Sequence, residues 1–133
     1  MKTKIVWMLL FIIAGMMSIA PLSWAKETSY NYIIAYSYRD KAVYHTPIFT
    51  RKVKGVSYNA EEYVSDTSTL LKMESAFQKH LAQRMNVDGT DMTVGARVAF
   101  KTEDIAKNRF DQEVSNFRFR GFDIKMVSDF KFD

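Results

Sequence analysis

Two histidines, eight serines and a scatter of carboxylates are the side chains beyond residue 25 from which a catalytic site could be assembled. His45 stands beside Thr46 and Pro47, and His80 between Lys79 and Leu81. Structural zinc takes four ligands, catalytic zinc three and a water, from Cys, His and carboxylates. The chain has no cysteine, no His pair four residues apart and no H-E-x-x-H, so no metal and no cofactor are expected. None of the serines lies in a G-x-S-x-G turn. Glu61-Glu62 and Glu103-Asp104 read as negative charge at helix N-termini, where the helix dipole favours it. The segment Asn86–Asp91 imitates a calcium loop, but Asp91 holds the sixth position and Arg97 the twelfth, where that loop needs glycine and glutamate. What remains is a pairing of Ser37 with His45 across a hairpin, or a hydrolase site of His45, nearby tyrosines and an acid. Nothing in the spacing marks an oxyanion hole for either, so no catalytic residue is assigned.

Binding chemistry has better candidates. Tyr30, Tyr32, Tyr36 and Tyr38 alternate along one stretch with Ile34 among them, so they share one face of a strand. A two-residue loop at Asp40-Lys41 would pair residues whose numbers sum to 81 and bring Val43, His45, Pro47 and Phe49 to that face. Such a face is core, or else an aromatic recognition surface centred on Tyr32, Tyr36, Tyr38 and His45. The run Arg51, Lys52 and Lys54 is a solvated loop or a contact for an anion or a membrane surface.

These residues need elements to hold them. Asn31–Ser37 and Val43–Phe49 read as a hairpin, with Pro47 making the second strand an edge or a bulge. A helix follows, starting at an Asn59/Glu62 capping box or later at Ser65 or Asp66. Tyr63, Thr67, Leu70, Phe77, Leu81 and Met85 form its apolar stripe, widened by Leu71 and Met73. Thr93–Phe100 alternates as a strand, with Val94, Ala96, Val98 and Phe100 on one face. Thr102 caps a second helix that ends at Gly121. Phe122 to Phe132 alternates as a last strand, internal or firmly paired, with Ile124, Met126, Phe130 and Phe132 inward. The order ββαβαβ predicts an α+β two-layer sandwich: a four-stranded mixed sheet with two helices on one face.

Residues 1–25 read as a cleaved secretory signal peptide. Lys2 and Lys4 precede a 16-residue apolar run, Ile5–Ala20, and Ser23 and Ala25 suit an A-x-A-like cut. The run falls short of the roughly 20 apolar residues that span a bilayer, and no such span is expected in residues 26–133. Those 108 residues form a single small domain with 17 basic against 15 acidic side chains. So small an excess is no nucleic-acid footprint. The expected function is that of a non-enzymatic exported domain, periplasmic or extracellular, that binds a protein or cell-envelope component.

Overall fold

A computed structural model describes residues 25–132, so the expected leader, Ala25 apart, lies outside the described residues. Among the described residues the chain is α+β, with five strands in one mixed sheet and two helices in the order βββαβαβ. These are β1 (Lys26–Ser37), β2 (Ala42–His45), β3 (Phe49–Lys54), α1 (Thr67–Arg84), β4 (Thr93–Phe100), α2 (Glu103–Phe119) and β5 (Asp123–Met126). A single 3-10 turn, Gly89–Asp91, precedes β4. No helix among the described residues is long and apolar enough to cross a membrane.

Strand β1 organises the sheet. Residues 34–36 pair with β2 and β4 at once, and Tyr30 pairs with β3 and β4 at once. Strands β2 and β3 therefore follow one another along one edge of β1, and β4 takes the other. Those three neighbours run antiparallel to β1, while β5 lies parallel to β2 at the sheet's margin. The expected single strand Val43–Phe49 is split at Thr46–Ile48, which raises the count from four to five. Pro47 has no N–H for a ladder, and here the chain bulges as its position foretold. Thr46 spans the gap: its N–H donates to the Ile33 carbonyl and its hydroxyl accepts from the Ile33 N–H, both at 2.9 Å.

The hairpin register differs from expectation. Partners sum to 79 and the turn is four residues long, Tyr38–Lys41, with Lys41 in the left-handed region at φ 54°. A shift of two keeps every β2 side chain on its expected face, so Val43 and His45 do join the tyrosines. Past the bulge the sum becomes 80, an odd step that sends Phe49 to the opposite face. A similar inversion occurs in β4, where Ala99 sits at φ 68°. Val94, Ala96 and Val98 face one side and Phe100 the other.

The two helices cover opposite faces of the sheet, not one. Tyr32, Ile34 and Val43 pack with Phe100, Ala106 and Phe117 beneath α2, whereas Ile33, Ala35 and Ala96 pack with Met73, Phe77 and Leu81 beneath α1. Adjacent strand residues point to opposite faces, so the buried succession Tyr32–Ile33–Ile34–Ala35 demands a cover on each.

Local signals explain the helix ends. Asp66 caps α1 by accepting from the Ser68 N–H, the later of the two expected starts. Asn59 does cap, taking the N–H groups of Glu61 and Glu62 at 2.8 and 2.7 Å, but it closes a hairpin tip between Ser57 and Tyr63 rather than a helix. Thr102 caps α2 through the Ile105 N–H, and Gly121 at φ 85° carries the chain out of it. The last strand is only four residues long and marginal to the sheet, with Met126 60% exposed. Beyond it Val127, Phe130 and Phe132 turn onto the α1 side instead of continuing beside Ile124.

Ile33→Ala and Ile34→Ala should each cost about 2–5 kcal/mol, since both side chains are fully buried in separate cores. Met126→Ala should stay within about 0.5 kcal/mol. Denaturant midpoints of the three variants check this, and a neutral Ile33→Ala would mean that one face of β1 is uncovered.

Candidate functional site

The tyrosine face is mostly interior. Tyr32 is 1% exposed, its ring stacked 6.2 Å from that of Phe100 and edge-on to Phe110 at 5.3 Å. Its hydroxyl donates to Glu113 Oε1 at 2.9 Å. Arg97 holds the same carboxylate in a two-point grip, Nη2 to Oε2 at 2.9 Å and Nε to Oε1 at 3.3 Å. Two residues earlier on β4, Gly95 leaves the space that the guanidinium occupies; a Cβ there would collide with it. This half-buried cluster ties α2 to β1 and β4. Burial, followed by the Glu113 charge and hydrogen bond, pushes the Tyr32 phenol well above its ordinary value.

The other members of that face meet different fates. His45 is buried with its ring 4.6 Å from that of Phe110, and Nδ1 donates to the Thr46 carbonyl at 2.9 Å. Among the described residues no carboxylate or hydroxyl lies within hydrogen-bond reach of it, Ser37 included, so the hydrolase arrangement has no acid–base pair. Tyr36 is half-buried against Phe117, and Tyr38 remains exposed with its edge on Phe122 and its hydroxyl 3.4 Å from Arg120 Nη1. Tyr32, Tyr36 and His45 share a face that α2 covers, while Tyr38, in the turn beyond β1, stays open to solvent. No three His, Asp or Glu side chains converge as a metal-binding group among the described residues.

The basic stretch lies elsewhere. It forms β3 rather than a loop, with Phe49, Arg51 and Val53 half-buried toward α1 while Lys52 and Lys54 are exposed on the other side. Beside it opens a groove of about 520 Å³, walled by β3, residues 56–66 and the first turns of α1. Val53, Val56, Val64, Leu70, Met73 and Val98 supply its apolar lining.

The groove exists because the α1-facing positions of β1 change character along the strand. Ile33 and Ala35 fill the space under α1, but Ser29 and Asn31 before them are small, polar and spent on the backbone. The Asn31 amide donates to the Phe49 carbonyl at 3.1 Å, and its Oδ1 accepts from the Ala99 N–H at 2.8 Å, which fixes the β4 bulge. Ser29 Oγ donates to the Arg51 carbonyl at 2.9 Å. Neither reaches up to meet α1, which begins only at Thr67 and brings no apolar side chain inward before Leu70.

Four charged residues flank the apolar lining, Lys52 and Lys54 together with Asp66 and Arg51. Asp66 is occupied by its own helix: Thr69 Oγ1 donates to it at 2.9 Å, and that bond with the Ser68 N–H holds its carboxyl below the usual value. Arg51 lies with its guanidinium 5.2 Å over the Phe132 ring and has no carboxylate within 4.0 Å among the described residues. Of the groove residues only Arg51, Lys52 and Lys54 were singled out as candidates from sequence. The signal for the rest was Ser29 and Asn31, two small polar residues at alternate positions of an otherwise apolar strand.

No protein-family model, curated protein or solved structure matches this chain.

Because the folded Tyr32 phenol ionises above its ordinary value of 10.0, the unfolded chain releases this proton first as pH rises. Its contribution to stability is full below pH 10 and falls as pH climbs above that. Tyr32→Phe should therefore cost about 1–3 kcal/mol at pH 7, by loss of a hydrogen bond to a charged group, yet show a shallower fall of urea midpoint above pH 10 than the parent chain. Parallel midpoint curves would contradict it.

Proposed function

We propose that this protein is an exported, non-enzymatic binding module of the cell envelope that takes an amphipathic envelope component into the groove between β3 and α1. The groove itself carries the reading. Its volume of about 520 Å³ falls within the roughly 300–1,000 Å³ typical of small-molecule sites, and apolar side chains make up half of its lining. Arg51, without a carboxylate partner of its own among the described residues, suits a ligand with one anionic end and an apolar body. The leader-like residues 1–25, and a His45 ring whose Nδ1 is spent on the Thr46 carbonyl with no acid or hydroxyl beside it among the described residues, favour an exported binder over a hydrolase.

Val53 faces the groove from a marginal strand, so Val53→Trp fills the space without cutting into either core. It should abolish binding of a fluorescent fatty-acid probe while leaving the melting temperature within a few degrees of the parent. Arg51→Gln should weaken the same probe about ten- to a hundredfold, as loss of a charge-assisted hydrogen bond does, and leave a matching fatty alcohol unaffected. Failure of the parent chain to bind either probe, or equal binding by Val53→Trp, would overturn the proposal.

A further inference from the structure

Residues 56–64 carry apolar side chains on the surface where a connection ordinarily carries polar ones. Val56, Tyr58 and Val64 are 56%, 72% and 48% exposed. Their placement is defined by the backbone: the Val64 N–H donates to the Val56 carbonyl at 2.8 Å, the Tyr58 N–H donates to the Glu62 carbonyl at 2.9 Å, and Asn59 caps the tip. Just before this small hairpin come Lys52 and Lys54, and Lys26 is the direct cross-strand partner of Lys54. Like charges placed directly opposite on a ladder are destabilising. Among the described residues no carboxylate lies within 4.0 Å of these three ammonium groups. Among those residues the Lys52 ammonium has only the Thr28 hydroxyl, at 2.6 Å.

Three of the acids nearby are turned away or engaged. Glu27 alternates to the other face of the ladder, Glu61 is bound to Arg109 at 2.8 Å, and Asp66 caps α1. Glu62 is half-buried; its backbone carbonyl closes the hairpin, and its carboxylate makes no hydrogen bond or ion pair among the described residues. Exposed valines and a tyrosine, following directly on a strand end whose exposed lysines have no carboxylate partner among the described residues, match a bilayer interface. There, apolar tips enter below the headgroups, tyrosine sits among them and lysines meet the phosphates. A protein partner fits less well, because lysine is depleted at protein interfaces. We propose that Lys26, Lys52 and Lys54, with Val56, Tyr58 and Val64, seat this protein on an anionic phospholipid surface. Lys52, Lys54, Val56 and Val64 also line the groove, so its mouth opens toward the lipid. The seating stands on exposed side chains and holds whether or not the groove takes a ligand.

The test is co-sedimentation of the chain from Lys26 onward with vesicles. Both described cores draw on residues from Tyr30 onward, and omission of the leader removes its own affinity for lipid. Binding is expected to vesicles of phosphatidylethanolamine and phosphatidylglycerol, weaker to phosphatidylcholine, and falling with salt. The double variant Lys52→Glu/Lys54→Glu should lose at least about tenfold in affinity. Val56→Ser/Tyr58→Ser should lose the binding that survives high salt. Lys79→Glu/Lys107→Glu, on the two helices, should bind as the parent does, and a circular-dichroism melt confirms that each variant is folded. Three results would overturn the proposal: no binding of the parent to anionic vesicles, equal losses in the helix-lysine variant, or retention on heparin without vesicle binding.

Discussion

Everything in this fold follows from one strand being hidden on both faces and paired along both edges. Asn31 to Ala35 are five consecutive buried residues. A strand can bury such a run only if each face has a cover, because neighbouring side chains diverge by half a turn. Each helix supplies one cover, with Met73, Phe77 and Leu81 from α1 and Ala106, Val114 and Phe117 from α2 hidden in doing so. The two cores meet at β1, so the strand couples helices that otherwise stand on opposite sides of the molecule.

Two inversions in the neighbouring strands complete those cores. At Thr46–Ile48 and at Ala99 an odd step swaps the face of the residues that follow. Phe49 thereby joins the α1 core, and Phe100 joins Tyr32 in the α2 core. Asn31 spans the sheet between both irregularities, touching Phe49 on one side and Ala99 on the other. A buried amide with its hydrogen bonds made specifies position at little net cost, while the same amide unpaired would be expensive. Its small size leaves α1 unsupported above it. The groove is thus a consequence of how the bulges are pinned.

Charge is divided in a similar way. The Arg97–Glu113–Tyr32 cluster is half-buried and internally satisfied, and it orients α2 across β1 and β4. For a partly buried ion pair of this kind, desolvation offsets much of the Coulomb attraction. The lysines at the start of β1 and along β3 have no such partners among the described residues. They lie at the end of the sheet where the groove and the exposed valines also fall, so the unspent chemistry of the molecule is gathered at one end.

Much of the local structure was legible in the residues themselves. Thr102 and Gly121 bound α2 as their types require, Asp66 is a good cap, Pro47 interrupts a strand, and the alternation of Tyr32, Ile34 and Tyr36 marks a shared face. Short-range stereochemistry sets these features, and a few neighbouring side chains suffice to express it. The groove was legible only in outline, as a basic stretch and two small polar residues in an apolar strand. Alternation says which side chains travel together but not what covers them, and one inserted residue reverses its phase. Hence the placement of the helices on opposite faces, the exposure of Met126, the return of Phe130 to α1 and the closure of the tyrosine face by α2 were decided by tertiary packing alone. Each depends on contacts between segments far apart in the chain, whose mutual burial no local pattern encodes.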